Sequence, residues 1–381
     1  MPPSNARPLP LDIKDIDAAW MTRALQTRAP GVACMGVEIV DVIKGTCTKI
    51  RLRLTLDDAA KAAGIPKSVI LKGGFEDHSR PMAHIHESEV RGYRDLFPFV
   101  DLPVPACYFA DFQDDAEQGI VILEDLVERD VAFCSALRPQ SFEQTSRRLS
   151  VLARFHATTW NSSEFEAVGR WSPFPESESS LRAYMDQYLL RPEEWRRFVM
   201  APRGAATSVH LHDLDRLIAA FDKLVKLSRR LPHCIQHGDT HLGNLYHNAD
   251  GSPGFLDSLP GRGPAMREIA YHLAGALDTG DRRRWERALI QHYLAALESY
   301  GVSAPTFDEA VEQYGAFLLD GYIVFMVNES FYQPESINTA YTARFSAAMI
   351  DHDTLALIDE LDRRSIREDT VAAGRPLETP G

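Results

Sequence analysis

Cysteine is scarce: Cys34, Cys47, Cys107, Cys134 and Cys234 are the only five in 381 residues. They are scattered, odd in number and include no C-x-x-C pair. That argues against a structural zinc site or a disulfide framework, and for a reducing compartment. Long apolar runs are missing as well. The Pro-rich first ten residues lack the apolar stretch of a secretory signal. The most apolar late segment, 315–327, is interrupted by Asp320 and is too short to cross a bilayer. The expectation is a cytoplasmic protein with no membrane span. Positive charge is also in short supply, with 41 Lys+Arg against 54 Asp+Glu and a net charge of −13. A nucleic-acid partner, which favours a basic face, is therefore not expected. No internal repeat or low-complexity block is present.

What remains is an ordinary globular composition, 45% hydrophobic and 25% charged, on a chain too long for one core. Strand patterns come first. Residues 37–44 and 50–56 are joined through Gly45-Thr46-Cys47-Thr48, and Arg51, Arg53 and Thr55 alternate with Leu52, Leu54 and Leu56. Further strands are predicted at 68–72, 106–110 and 119–123, and helices at 15–25 and 86–96. The strand at 119–123 runs into Glu124-Asp125-Leu126. Beyond it the periodicity turns helical, over 141–160, 181–190, 211–231, 266–277, 282–300, 307–327 and 340–362. The last dozen residues read as a loose tail. The expected architecture is α+β: a small antiparallel β lobe at 1–125 and a large, mainly helical lobe at 126–381.

One stretch carries recognisable chemistry. His237-Gly238-Asp239-Thr240-His241-Leu242-Gly243-Asn244 is followed by Leu245-Tyr246-His247 and then by Gly254-Phe255-Leu256-Asp257. Phosphoryl transfer needs charge neutralised on phosphate oxygens and an acceptor hydroxyl held in line. Asp239 suits the hydroxyl, while Asn244 and Asp257 offer the hard oxygens that magnesium prefers. Asn248-Ala249-Asp250-Gly251 is a turn signal between two strand fragments. Folding that hairpin would bring Asn244 and Asp257 to the same end. D-x-x-x-x-N with a later Asp follows the logic of the protein-kinase catalytic loop.

This segment resembles the HGDxHxxN…D signature of the aminoglycoside phosphotransferase and choline-kinase-like superfamily, in particular the branch that includes ecdysteroid-kinase-like proteins. The resemblance implies a bilobal protein-kinase-like fold. It also implies an ATP-dependent kinase (GTP possible) that uses magnesium to phosphorylate a hydroxyl of a small molecule. Asp239 would be the catalytic Asp, and Asn244 and Asp257 the metal ligands. Lys72, ending Val-Ile-Leu-Lys, would hold the α/β-phosphates, paired with Glu89 of the following helix. Glu124 to Leu126 would be the adenine hinge. The nucleotide loop would use Gly45, Thr46 and Thr48, although a lone glycine there also reads as a simple turn. Matches run in the family's order from about residue 15 to 330. The chain departs from the usual pattern in its single loop glycine, in Ser258 where an aromatic residue is common, and in Glu268 where relatives carry Asp.

Other readings compete. Glu87 and Glu89 lie two apart on a helix and cannot share a face, so only one can meet Lys72; Glu89 is the choice. His156 and His237 read as structural braces. His237/Asp239/His241, His210/His212/Asp213/Asp215 and His84/His86/Glu87 suggest a metal-dependent hydrolase, but the latter two put their histidines two apart in predicted helix or loop with no third ligand at metal spacing. A catalytically inactive nucleotide-binding protein would be expected to lose Lys72, Asp239, Asn244 or Asp257, and all four are present. Tyr184, Tyr188, Trp195, Asp320, Tyr322 and Glu329 are candidates for an acceptor pocket, each also readable as core or surface.

Overall fold

The computed structural model describes residues 8–188 and 191–372. The expected loose ends and the predicted helix end at Leu189 and Leu190 lie outside these residues, the N-terminal end except for 8–10 and the C-terminal one except for 370–372. The chain opens with α1 (Ala18–Gln26), β1 (Cys34–Ile43), β2 (Thr48–Leu56), α2 (Asp58–Ala62), β3 (Ser68–Gly73) and α3 (Ala83–Arg91). Then come β4 (Cys107–Gln113), β5 (Gln118–Glu124) and the short β6 (Ala132–Phe133). Helices α4 (Phe142–Thr159), α5 (Ser177–Tyr188), α6 (Pro192–Val199), α7 (Pro202–Ala205) and α8 (Leu214–Ser228) follow. Four short strands come next: β7 (His233–Gln236), β8 (Leu245–His247), β9 (Pro253–Phe255) and β10 (Gly261–Pro264). The chain closes with α9 (Ala265–Ala276), α10 (Thr279–Ser299), α11 (Phe307–Val327), α12 (Glu335–Asp351) and α13 (Thr354–Ala372). The fold class is α+β, with an antiparallel sheet early and helices dominating afterwards. Two compact units form. One holds the residues up to Phe133 together with Leu245–Pro260; the other holds Cys134–Asn244 and the residues from Gly261 onward.

The first unit is built on a five-stranded antiparallel sheet in the order β1-β2-β3-β5-β4. The alternation in β2 does what its pattern requires: Ile50, Leu52, Leu54 and Leu56 are buried and Arg53 and Thr55 are exposed. Trp20, Met21 and Leu25 of α1 cover one face, against Ile50, Leu52, Val69, Leu71, Ile120 and Ile122. Val90 of α3 and Tyr93 just after it cover the other, against Val121 and Leu123. β5 is thus buried on both faces, which is why it reads as an unbroken apolar run rather than an alternating one. In register, Lys49 pairs with Lys72 and Lys72 with Val121. Directly paired residues share a face, so both lysines lie on the side that α3 covers. α3 docks closely there. A Cβ on Gly119 would sit 2.9 Å from His86 Cβ and 3.1 Å from its main-chain carbonyl. The helix predicted at 86–96 is α-helical only to Arg91 and then makes one π-helical turn, Gly92–Leu96. The same unit contains a small sheet in the order β6-β8-β9. Its hairpin pairs Leu245 with Phe255 around a turn in which Gly251 takes φ 76°.

In the second unit α9, α11 and α12 pack on one another, α4 lies along α10, and α13 along α8. Ser141 with Gln144 and Thr306 with Glu309 form capping boxes that start α4 and α11. α11 is the one helix among the described residues long and apolar enough to cross a bilayer. Its mean hydropathy is 1.2 over the window and 78% of that window is buried inside the fold. Two predicted helices are corrected. The stretch 211–231 begins as a helix only at Leu214, because the Asp213 side chain caps the Arg216 N–H at 3.1 Å. The stretch 340–362 is two helices, α12 and α13, broken at His352 and Asp353. There Asp353 takes φ 45° and Thr354 Oγ1 donates to Gly315 O at 2.7 Å. β7 and β10 pair antiparallel, Gly261 opposite Gln236, and lead the chain into and out of the His237 region.

Candidate active site

The first unit assembles a charged cluster on the α3 face of the sheet. Lys72, 4% exposed, is ion-paired with Glu89 and reaches Asp257 Oδ1 at 2.7 Å. Glu87, the alternative partner, is paired with Arg91 instead. Lys49 Nζ meets the other oxygen of the same carboxylate, Asp257 Oδ2, at 2.8 Å. Burial works against ionising Asp257, but Lys49 and Lys72 outweigh it and hold the carboxyl far below its usual range. Burial likewise opposes the charge on Lys72, and Asp257 and Glu89 outweigh it. Asp257 sits at φ 54°, in the left-handed region that Asp tolerates better than most side chains. Lys49 was not among the residues singled out from sequence. Its place in an Arg/Thr alternation makes it look like a surface residue, and only the β2–β3 register puts it beside Lys72.

The loop before β2 is pinned through its carbonyls. His78 Nε2 lies 2.9 Å from Gly45 O and His86 Nε2 3.4 Å from Thr46 O. Gly45 has no left-handed φ and no close neighbour that would forbid a side chain. Thr48 is fully buried, and its hydroxyl has no hydrogen-bond partner among the described residues. At the end of β5, the Glu124 N–H donates to Ala106 O at 2.8 Å and the Glu124 side chain meets Arg129 at 3.1 Å. Asp125 holds the following turn by accepting from Val127 N at 3.2 Å, Arg51 Nε at 2.9 Å and Ser68 Oγ at 2.7 Å. Leu126 is buried.

In the second unit the segment after β7 is braced from three sides. Glu268 accepts from His237 N at 3.0 Å, Gly238 N at 2.8 Å and His156 Nε2 at 2.9 Å. The longer side chain at 268 thus still spans to the loop. Tyr293 OH lies 2.8 Å from His156 Nδ1 behind it. His272 Nδ1 donates to Thr240 O at 3.0 Å, since its Nε2 must accept from Arg148 Nε at 3.2 Å. Burial pushes the His272 ring down to about 3, so it is neutral.

Asp239 projects from this braced loop with both carboxylate oxygens engaged. Tyr271 OH donates to Oδ1 at 2.8 Å and Asn244 Nδ2 donates to Oδ2 at 2.8 Å. His241 Nε2 is 3.5 Å from Oδ2. Burial pushes the Asp239 carboxyl up, but His241 and the Tyr271 hydroxyl outweigh it and keep the group ionised. Asn244 Nδ2 also donates to Asp239 O at 3.0 Å. Two acceptors therefore fix which end of the amide is nitrogen, and Oδ1 is left as a neutral oxygen turned away from Asp239. The Tyr271 ring stacks on Phe325, which stacks on Tyr341 at 4.0 Å between centroids. The ionised Asp257 carboxylate of the first unit and the neutral Asn244 oxygen of the second are each hard donors, of the kind that suits magnesium rather than a soft metal.

Several other candidates have different employment. Among the described residues, no group of three His, Cys, Asp or Glu side chains is arranged to hold a metal ion. Trp195 and Tyr322 are core residues whose polar atoms donate to His212 O at 2.7 Å and Leu211 O at 3.1 Å. Asp320 is buried and bonded to Arg267 Nε at 2.6 Å. Glu329 pairs with Arg197. Tyr184 is half-buried, and the Tyr188 side chain lies outside the described residues.

Residues 88–303, more than half of the chain, match the APH phosphotransferase enzyme family. The chain belongs to this family. Among solved structures, a choline kinase from Cryptosporidium parvum Iowa II is similar at 11% identity and TM-score 0.50, over 91% of this chain and 99% of that one. A choline/ethanolamine kinase family protein from Mesorhizobium loti is similar at 11% identity and TM-score 0.43, over 90% and 99%. The GDP complex of wild-type aminoglycoside 2'-phosphotransferase-IIIa is similar at 13% identity and TM-score 0.45, over 91% and 99%. At the identity of the Cryptosporidium enzyme the likeness is one of fold, the protein-kinase-like α+β arrangement. No curated protein matches significantly in sequence. The family assignment makes the chain a phosphotransferase.

Proposed function

We propose that this phosphotransferase is an ATP-dependent kinase that moves the γ-phosphoryl group to a hydroxyl of a small molecule. The observation that carries the reading is Lys72 set between Glu89 and Asp257, residues 17 and 185 positions away in sequence. Residues 1–125 would bind nucleotide and residues 126–381 would carry out catalysis and hold the acceptor. Lys72 would lie on the α/β-phosphates with Glu89 keeping it in place. Gly45, Thr46 and Thr48 would line the phosphate loop, and the main chain at Glu124 to Leu126 would meet the base. GTP would fit the same main-chain contacts. Asn244 Oδ1 and Asp257 would hold magnesium, which would neutralise charge on the phosphates.

Asp239 would orient the acceptor hydroxyl and take its proton as the new O–P bond forms and the bond to the β-phosphate breaks. The braced His237–Gly238 backbone would keep Asp239 from swinging with its substrate. The scattered, odd cysteines support a cytoplasmic setting. The acceptor class is open to a screen. Nucleotide consumption would be measured with magnesium against aminoglycosides, choline and other amino alcohols, sugar alcohols and steroid alcohols. One or more acceptors should support turnover, and Asp239→Asn should lower it by roughly 10²–10⁴-fold while still binding nucleotide. Nucleotide binding with no turnover on any acceptor would instead indicate an inactive nucleotide-binding protein. Turnover on peptides alone would overturn the small-molecule reading.

A further inference from the structure

We propose that Lys49 is a second cation for the nucleotide phosphates, acting beside Lys72 and substituting for a glycine-rich phosphate loop. This rests on the kinase reading above. Lys49 is the first residue after the Gly45–Thr48 loop and the direct register partner of Lys72 across β2 and β3. Both ammonium groups reach one carboxylate, Asp257, by different oxygens at 2.8 and 2.7 Å. They therefore converge on one point at the end of the sheet where β2 begins and β3 finishes.

Their surroundings differ in a way that assigns their roles. Lys72 is buried and keeps Glu89 as a second partner, so its charge stays matched if Asp257 turns to a metal ion. Lys49 has Asp257 as its only carboxylate within 4.0 Å among the described residues, and its side chain is 38% exposed. A cation bound by Asp257 would leave the Lys49 ammonium without a counter-charge beside the phosphates that accompany the metal. A flexible, half-exposed lysine in that position is a phosphate ligand of the point-charge kind.

The loop supplies the complementary observation. A phosphate cradle made from main-chain N–H groups uses glycines that allow close approach and left-handed turns. Here Gly45 is the only glycine, its φ is not left-handed, and a Cβ on it would meet only Cys47 O at 3.6 Å. The loop carbonyls are tied to His78 and His86. A loop so held has little freedom to wrap around phosphates, and a lysine at its C-terminal end brings charge to the same place without requiring it to.

The test is nucleotide binding by the full-length chain with magnesium, measured by calorimetry for wild type, Lys49→Gln, Lys49→Arg and Lys61→Gln. Lys61 is paired with Asp58 on the surface of α2, so its loss removes the same charge from outside the site. Lys49→Gln should weaken binding of ATP, or of GTP if that is the nucleotide bound, by about tenfold. Lys49→Arg should retain most of the affinity and Lys61→Gln all of it, with unchanged thermal melting in all three variants. Equal or tighter binding by Lys49→Gln overturns the assignment, as does weaker binding by Lys61→Gln to the same degree. A drop in melting temperature for Lys49→Gln that Lys49→Arg shares would show a structural role and overturn it as well. If wild type binds neither nucleotide, the kinase reading itself falls. If wild type binds and Lys49→Gln binds equally, only the role of Lys49 does.

Discussion

Asp239 has a donor on each carboxylate oxygen before any acceptor is present, and the two donors differ in kind. Asn244 is tied to its own loop, whereas Tyr271 comes from α9 and is fixed by its stack on Phe325. Tyr271 therefore sets the plane of the carboxylate against the rigid core of the second unit. Tyr271→Phe keeps the stack and removes one hydrogen bond to an ionised acceptor, an interaction worth about 1.5–3 kcal/mol. Its kcat should fall roughly tenfold or more, with KM and nucleotide affinity unchanged; steady-state kinetics on whichever acceptor is active would check it. Asp239, Asn244, Asp257, Lys72 and Glu89 were legible in the sequence because an unusual set of residue types occurs in a fixed order and spacing. Lys49 and Tyr271 were not. Lys49 falls in register with Arg51 and Arg53 on the polar side of a strand, and Tyr271 lies in an apolar helix where an aromatic reads as core. It is core, 8% exposed; only its hydroxyl has other work.

At the scale of elements, the position of Glu89 depends on how closely α3 lies on β5. The glycine at 119 permits that approach, with His86 main chain where a Cβ's neighbour would be. Gly119→Ala should cost about 1–3 kcal/mol, the usual range for overpacking a close contact, seen as a lower midpoint in thermal or urea denaturation. By moving α3 outward it should also weaken nucleotide binding. Long helices such as α4, α10 and α11 were legible because apolar spacing persists over many turns and their capping residues stand at the ends. The break between α12 and α13 was not, since the apolar period continues on both sides of it and only the left-handed Asp353 interrupts the backbone. β7 and β10 escaped for a different reason. Gly-Arg-Gly-Pro has little strand propensity of its own and is extended because Gln236 to His233 lies opposite it.

For the molecule as a whole, several titratable groups push stability in the same direction with pH. Burial lowers His86 to about 4 and His272 to about 3, against about 6.5 for a free ring. Arg203 lowers Glu335 to about 2, against about 4.3. In each case the unfolded chain binds protons that the folded chain does not. The stability these groups contribute is complete above the unfolded values and is lost as pH falls, from about 6.5 downward for the histidines and from about 4.3 for Glu335. Asp320 opposes them. Burial raises it to about 6, so its contribution grows as pH falls from about 6 toward 3.9. Three groups against one predict a urea midpoint that declines steadily from pH 7 to pH 3. Glu335→Gln should flatten the part of that curve below pH 4.5, which the same titration checks. The change from strands to helices along the chain was legible at this scale, because the apolar period shifts from two to that of a helix beyond residue 125. The company of the β8–β9 hairpin was not: it pairs with β6 and takes Pro103 O on Phe255 N at 2.9 Å, partners more than a hundred residues earlier that no local pattern can point to.

α11 has one more consequence, for the way the chain is made. It is the most apolar helix among the described residues, and α12 and α13, which cover much of it, follow it in the chain and are synthesised after it. While a ribosome is still adding residues 335–372, a helix fit for a bilayer stands partly uncovered, and the nascent chain is more adhesive than once α12 and α13 have docked. Chaperone dependence and co-translational aggregation should therefore concentrate in that brief window rather than be spread over synthesis.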